Sequence, residues 1–117
     1  MAPVRSVLYT QVRSVEESRV SVVGKLRELG FSIDLIQENL IEARRGSQAV
    51  FRVKGALLSK PEEFPIVLCV RWDLVEGSAR ASIAVYSEFV GSLIGARKKY
   101  QAACDDAAAL AARLLAI

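Results

Sequence analysis

Three pairs of carboxylates are the residues of this sequence whose spacing could support acid–base chemistry. The chain has no histidine, so the commonest general base is missing and the Ser–His–Asp and Cys–His arrangements of nucleophilic enzymes are excluded. Asp105 and Asp106 are neighbours in a predicted helix, where their side chains diverge by about 100°, so we expect both to be solvated. Glu62 and Glu63 follow Pro61, an order typical of the first turn of a short helix.

The third pair, Asp73 and Glu88, lies on two segments that are predicted to pair as strands. Arg71 and Arg80 would share their face of the sheet, so cross-strand ion pairs are the expected role of both carboxylates. The stretch GSLIGARKK has neither the P-loop nor the dinucleotide-binding spacing of glycines. We therefore expect a protein that is not an enzyme and that has no cofactor.

The two cysteines, Cys69 and Cys104, form neither a CxxC motif nor a disulfide framework. Because histidine is absent as well, we expect no structural metal site. Cys69 would lie beside Tyr86 and Arg71, where a lowered thiol pKa would make it reactive. We favour the alternative that Cys69 is a small hydrophobic residue within a strand.

Two clusters of basic residues could bind an anion. The stretch ENLIEARRGSQAVFRVKGALLSK has five basic and two acidic residues, but the net charge of the whole chain is only +3, which does not indicate a nucleic-acid-binding domain. The second cluster would occupy the first turn of a C-terminal helix, where an anion would offset the unfavourable helix dipole, although a solvated basic turn is the preferred interpretation. The candidate ligand or anion site here consists of Leu57, Leu58, Arg97, Lys98, Lys99 and Tyr100.

The elements that must position these residues are indicated by periodicity. Residues 3–12 are rich in β-branched and aromatic side chains and predict a strand. Ser14 and Glu17 have the capping-box spacing, and Gly30 stands where a left-handed C-cap residue belongs, so a helix is predicted over residues 15–29. A second helix is predicted from about residue 95 to the end. Its apolar stripe alternates spacings of three and four: Leu93, Ala96, Tyr100, Ala103, Ala107, Leu110, Leu114 and Ile117.

Between the helices, alternation of apolar and polar residues predicts consecutive antiparallel strands. Residues 31–35 and 41–43 are predicted to form a hairpin with a three-residue loop in which Asn39 is left-handed. Residues 49–53 are predicted to pair with 41–43 as the next strand. The first loop would set two apolar pairs, Leu35–Ile41 and Ile33–Ala43.

The hairpin around Gly77–Ser78 is the clearest of the predicted elements, because this pair suits a two-residue type II′ turn. Its register would place four apolar pairs on the core face: Trp72–Ile83, Val70–Val85, Leu74–Ala81 and Ile66–Phe89. The opposite face mixes charges with more apolar side chains than a solvated surface should carry, which predicts that a partner covers it. The candidate interface residues are Val50, Arg52, Val67, Cys69, Arg71 and Tyr86.

The predicted order is strand, helix, four or five antiparallel strands and a long C-terminal helix. This layout resembles the TATA-binding-protein-like fold and is similar to a shortened helix-grip fold of the pollen-allergen and START-like kind. The resemblance covers the whole chain through element order and implies that both helices lie on one face of the sheet. The sequence therefore predicts a single α+β domain over residues 1–117, with one curved antiparallel sheet.

The leading hypothesis is a small non-enzymatic protein that acts through association, as a homodimer formed by the outer face of the sheet. An alternative is a module that binds a small apolar or anionic molecule between the sheet and the long helix. Weak nucleic-acid binding is a third alternative, disfavoured because carboxylates are interspersed with the arginines. We expect no membrane partner and a cytoplasmic location, since no apolar run reaches about 18 residues and the start lacks the features of a signal peptide.

Overall fold

A computed structural model describes residues 5–47, 49, 60, 63–87 and 97–115. In chain order the elements are β1 (Arg5–Gln11), α1 (Val15–Glu28), β2 (Ser32–Ile36), β3 (Leu40–Arg45), β4 (Ile66–Val75), β5 (Ser78–Ser87) and α2 (Arg97–Leu115). No helix in these ranges is both long and apolar enough to cross a membrane.

The five strands form one antiparallel sheet in the order β1-β5-β4-β3-β2. Both helices pack on the same face, which we call the inner face, with α2 on β1 and β5 and α1 on β2. The predicted α+β class is confirmed. One hydrophobic core joins the inner face to the helices, and its largest fully buried side chains include Trp72, Tyr100, Phe64 and Leu26.

Helix α1 begins and ends where its capping residues predict. The Ser14 hydroxyl accepts a hydrogen bond from the Glu17 N–H at 3.4 Å. Gly30 has a φ of 89°, and the Phe31 N–H donates to the Leu26 carbonyl at 3.0 Å, the bond that defines a Schellman motif. Phe31 and Leu26 are both buried. The C-terminal cap therefore also positions the chain where it leaves α1 for β2.

The β4–β5 hairpin has the predicted faces but not the predicted register. Its turn is Glu76–Gly77, with φ values of 53° and 82°, as a type I′ turn requires at both central positions. Trp72 therefore lies opposite Ala81 and not Ile83. A shift of two residues preserves the side of the sheet on which each side chain lies. Leu74, which was predicted to lie in the core opposite Ala81, lies opposite Ala79 near the turn and is 71% exposed.

The β2–β3 hairpin matches the prediction only at Ile33, which lies opposite Ala43. A register shift occurs between Ile33 and Leu35. As a result Leu35, which was predicted to share the core face with Ile41, lies opposite Glu42 on the other face, and Ile36 lies opposite Ile41 on the inner face. Asn39 is not left-handed, because Glu76 is the one non-glycine residue with positive φ among those described.

Strand β3 lies between β2 and β4, which occupy both of its edges. The predicted pairing of residues 41–43 with 49–53 is therefore wrong: Ile41 lies opposite Val70 and Ala43 opposite Leu68. Ala49 is exposed, and residues 50–53 lie outside the described ranges. The period-two pattern correctly predicted that residues 41–43 lie in a strand. It could not show whether residues 49–53 or β4 would pair with that strand.

Helix α2 buries a stripe that is rotated from the predicted one. Tyr100, Ala103 and Ala107 are buried as expected, but Cys104, Ala108 and other small residues are also buried, whereas Leu110 and Leu114 are only partly so. Small side chains on a helix allow close packing against a sheet. The buried face of α2 is therefore not the one with the most large apolar residues. Residues 93 and 96, at the start of the predicted stripe, lie outside the described ranges.

Candidate functional site: the outer face of the sheet

The outer face is the side of the sheet opposite to the one on which α1 and α2 pack. Directly opposed residues of neighbouring strands share a face, so the strand registers define its membership. Its side chains are Arg5, Val7, Tyr9 and Gln11 of β1; Ser78, Arg80, Ser82, Ala84 and Tyr86 of β5; Val67, Cys69, Arg71, Asp73 and Val75 of β4; Leu40, Glu42 and Arg44 of β3; and Ser32 and Leu35 of β2.

A groove of about 330 Å³ runs over the middle of this face. We call it the outer groove. Its floor consists of Cys69 and Arg71 of β4 and Ser82 and Ala84 of β5, and its walls consist of Arg5, Val7 and Tyr9 of β1 and Leu40 and Glu42 of β3. Mostly small residues on the two central strands thus lie between larger residues on the flanking strands.

Charges on the outer face are partly neutralised within the chain. Arg44 pairs with Asp34 at 2.8 Å, and Arg80 contacts Asp73 at 3.5 Å. The observed register sets Asp73 directly opposite Arg80. It confirms the ion-pair role expected for Asp73, while Glu88 lies outside the described residues. Both pairs are exposed, so each contributes at most about 1 kcal/mol to folding.

Tyr9 is the most prominent aromatic side chain of the outer groove. It is 63% exposed, and the Arg80 guanidinium lies 5.1 Å from its ring centroid. The Arg80 contact to Asp73 fixes that guanidinium from the other side. A cation–π contact of this kind at an exposed site contributes about 0.5–1 kcal/mol.

The surroundings of the Cys69 thiol disfavour its ionised form. Its Sγ lies 3.9 Å from the Tyr86 hydroxyl, and burial raises the pKa of the thiol, with a smaller opposing effect from the Tyr86 hydrogen bond. Burial also raises the pKa of Cys104, to about 12. Both thiols are protonated at neutral pH, which agrees with the expectation that Cys69 is a small strand residue.

The predicted interface residues that the structure describes all lie on the outer face. Cys69 and Arg71 line the outer groove and Tyr86 lies beside it. Val67 is only 2% exposed, so it presents little surface to a partner. Val50 and Arg52 lie outside the described ranges.

Of the predicted ligand or anion site, the structure describes only the four residues on α2. Tyr100 is fully buried, packs edge-on against Phe64 with 5.1 Å between ring centroids, and donates its hydroxyl proton to the Pro65 carbonyl. Three basic residues precede it, exposed in the first turn of α2: Arg97, Lys98 and Lys99. Leu57 and Leu58 lie outside the described ranges.

The carboxylate pairs near the helices have the structural surroundings expected for solvated residues. Asp105 and Asp106 are exposed on α2, and Asp105 accepts a hydrogen bond from Gln101 at 3.0 Å. The Glu63 carboxylate accepts from the Lys60 N–H at 3.3 Å, as expected of a residue at a helical turn, while Glu62 lies outside the described ranges. The residues that the structure describes contain no cluster of side chains able to hold a metal ion.

One wall of the outer groove was missed at the sequence level. Arg5, Val7 and Tyr9 alternate within the predicted first strand, but nothing local indicates which strand β1 joins. Its pairing with β5 brings together residues about 80 positions apart, such as Arg5 with Tyr86. Long-range pairing of this kind carries no short-range turn signal.

No family model matches the chain, and no curated protein is significantly similar to it.

Proposed function

We propose that this protein is a non-enzymatic association module that forms a homodimer through the outer face of its sheet. The observation that carries the proposal is that both helices of the described ranges cover one side of the sheet, while a groove of about 330 Å³ lies on the other side. Val7, Tyr9 and Leu35 are exposed there although they are large and apolar. An exposed apolar patch rimmed by polar residues is typical of an interaction surface.

The size of the outer face determines how much of it a homodimer would use. Five strands about 4.8 Å apart and roughly 20–30 Å long give a projected area of about 400–600 Å². The accessible area of side chains exceeds this projection, and a stable interface buries about 800 Å² on each partner. A second copy of the sheet would therefore have to cover nearly the whole face.

The charge pattern favours self-association over nucleic acid. Four arginines and two carboxylates lie on the outer face, and Asp34 pairs with Arg44 at its edge. Such a nearly balanced mixture can complement itself across a twofold axis. A nucleic-acid site needs a more uniformly basic surface to gain from counterion release.

The test compares two identical substitutions at exposed valines. Val7→Glu places a carboxylate in the outer groove, where burial against a second copy is unfavourable, so we expect a folded monomer. Val20→Glu is the matched control, because Val20 is exposed on α1 and is not part of the outer face. Analytical ultracentrifugation should show dimers for the wild type and Val20→Glu only.

Two results would contradict the proposal. A wild-type protein that stays monomeric at high micromolar concentration would rule out the homodimer. A Val7→Glu variant as dimeric as its control would show that the copies associate through another surface. If the monomeric wild type instead bound single-stranded DNA in low salt, with affinity falling steeply as salt rises, the nucleic-acid alternative would replace the homodimer.

A further inference from the structure

We infer that β1 pairs with β1 of a second copy as antiparallel strands centred on Leu8, so that the two sheets continue into each other. This contact uses the free edge of the sheet and goes beyond the proposed contact through the outer face. Together the two contacts would join two dimers into a tetramer.

Strand β1 is an edge strand without the usual protection against pairing. Among the described strands it pairs with β5 alone, and Val7, Leu8 and Tyr9 are exposed in a row, by 37% to 63%. Natural edge strands are commonly protected by charges and bulges. β1 follows β5 without a register shift, and its one charged residue, Arg5, stands at its end.

The opposite edge of the sheet has the protection that β1 lacks. Strand β2 has a register shift between Ile33 and Leu35. Asp34 lies at this shift and pairs with Arg44 at 2.8 Å. Because a bulge and a charge both discourage pairing with another chain, the edge formed by β1 is the one suited to association.

The odd-numbered residues of β1 direct their backbone groups towards the free edge. The Val12 N–H donates to the Ala79 carbonyl at 3.1 Å, and these two residues are directly opposed when the register of β1 and β5 is continued. Hydrogen-bonded and non-hydrogen-bonded pairs alternate along an antiparallel ladder, so odd-numbered residues point away from β5. The Gln101 side chain agrees with this direction, because its amide donates to the Arg5 carbonyl at 2.9 Å.

A twofold axis at Leu8 gives the register that pairs the whole strand. Val7 then lies opposite Tyr9 of the second copy, and the N–H and C=O groups of these residues bond to each other on both sides of the axis. A register moved by one residue would oppose backbone groups that point in different directions. A register moved by two would leave an end of each β1 unpaired.

The side chains of β1 are complementary to themselves in this register. The pairs between copies are Leu8–Leu8, Val7–Tyr9, Ser6–Thr10 and Arg5–Gln11. Apolar pairs, an aromatic residue beside a β-branched one, and paired hydroxyls are the cross-strand contacts that stabilise sheets. Arg5 faces an uncharged residue, and the next arginine, Arg80 of the second copy, lies two strand spacings or about 9.6 Å away and contacts its own Asp73.

Helix α2 fits beside α2 of the second copy on the inner face. It packs on both β1 and β5, so the two helix axes would lie about two strand spacings apart, or roughly 10 Å, an ordinary distance for packed helices. Gln101 marks the side of α2 that faces the second copy, since it reaches the carbonyl of Arg5 at the free edge. Asp105 and Ala108 follow Gln101 on the same side of the helix.

The Asp105 carboxylates of the two copies limit the strength of this contact. Helix α2 runs alongside β1, with Gln101 beside Arg5 at one end and with Leu114 and Val12 lining one pocket at the other. Asp105, near the middle of α2, is therefore level with the middle of β1, where two like charges weaken the contact. One strand edge also buries less than the roughly 800 Å² of a stable interface, so tetramers should form only well above the micromolar concentrations at which dimers form.

The experiment gives residue 8 opposite charges in two variants. Leu8 is 37% exposed, so a charged side chain there is compatible with folding. Leu8→Lys and Leu8→Glu each set like charges across the axis and should weaken the contact between dimers about tenfold or more. Mixed in equal amounts, the two variants place opposite charges across the axis and should restore tetramers. Sedimentation equilibrium at chain concentrations up to about 1 mM measures the mass.

Leu74→Lys is the matched control, because Leu74 is an exposed leucine of the inner face that lies on β4, away from the free edge. It should form tetramers like the wild type, and Asp105→Asn should form them at lower concentration. Equal association of Leu8→Lys and Leu74→Lys would overturn the pairing of β1 strands. Single variants that lose tetramers without recovery on mixing would contradict the register centred on Leu8.

The wild-type mass separates this inference from the proposed homodimer. A wild-type dimer that never exceeds two chains would overturn the edge contact and leave the face-to-face homodimer standing. A dimer that is lost in Leu8→Lys but kept in Val7→Glu would support the edge contact and overturn the contact through the outer face. A monomeric wild type would overturn both.

Amide hydrogen exchange is a second measurement and needs no variant. The Tyr9 N–H points to the free edge and should exchange more slowly as tetramers form, whereas the Leu8 N–H points towards β5 and should exchange slowly at every concentration. Unchanged exchange at Tyr9 in the tetramer would show that dimers associate through another surface. Slower exchange at Tyr9 only on adding an extended peptide of alternating valine and threonine, without tetramers, would overturn self-pairing in favour of an unrelated strand.

Discussion

Trp72 shows how a single residue can connect a helix to the sheet. It is 1% exposed on the inner face of β4, and its indole N–H donates to the Ser18 hydroxyl of α1 at 3.0 Å. Its burial was predictable, because a period-two pattern fixes which face a residue lies on. Its hydrogen-bond partner was not predictable. Ser18 is 54 positions away in the sequence, and only the packing of α1 brings it near Trp72.

We predict that Ser18→Ala destabilises the fold although Ser18 is a small residue on a helix. The substitution leaves the buried Trp72 N–H without an acceptor, which costs about 1–3 kcal/mol of unfolding free energy. Ser21→Ala on the same helix is the control, since Ser21 is exposed and should change stability little. Urea denaturation measures both. Equal stability of the two variants would show that water satisfies the indole.

Two glycines should respond in opposite ways to replacement by alanine. Gly46 has a φ of 91°, and a Cβ there would overlap the carbonyl group of Phe64, so Gly46→Ala should lose more than about 1 kcal/mol. Gly24 lies within α1, and nothing beyond its own helix backbone comes within 4 Å of where a Cβ would be, so Gly24→Ala should gain roughly 0.5–1 kcal/mol. Thermal unfolding tests the pair, and a stabilising Gly46→Ala would contradict the close approach of this glycine to Phe64.

At the scale of elements, the side of the sheet on which a residue lies was easier to predict than which strands are neighbours. The capping residues of α1 act over a few positions, so its limits followed from Ser14 and Gly30. The faces of β4 and β5 were right despite an error of two residues in register, because a shift of two leaves every side chain on its side. Strand neighbours depend on distant packing, so the pairing of β3 with β4 and of β1 with β5 could not be inferred locally.

The β4–β5 turn offers a prediction at this scale. Glu76 adopts a φ of 53°, a conformation that asparagine tolerates better than glutamate does, and Asn-Gly is the preferred pair for a type I′ turn. Glu76→Asn should therefore raise the unfolding free energy by about 0.5 kcal/mol or more. Glu76→Ala removes the same charge without easing the conformation and should give no gain. Urea midpoints that rise equally for both would attribute the effect to charge.

At the scale of the whole molecule, α1 and α2 cover one side of the sheet, and we propose that the other side serves for association. Among the described residues, the outer face combines a groove with mostly small residues at its floor and a tyrosine in contact with Arg80. The sequence predicted an outer face more apolar than a solvated surface should be. It did not show the groove, because Arg5, Val7 and Tyr9 join the face only through the pairing of β1 with β5.

The molar mass in solution tests the central claim most directly. Sedimentation equilibrium of the wild-type protein at micromolar concentration should give twice the 12.8 kDa mass of one chain, and Val7→Glu should give the mass of one chain with an unchanged circular dichroism spectrum. A wild-type mass of one chain throughout the high micromolar range would contradict the account.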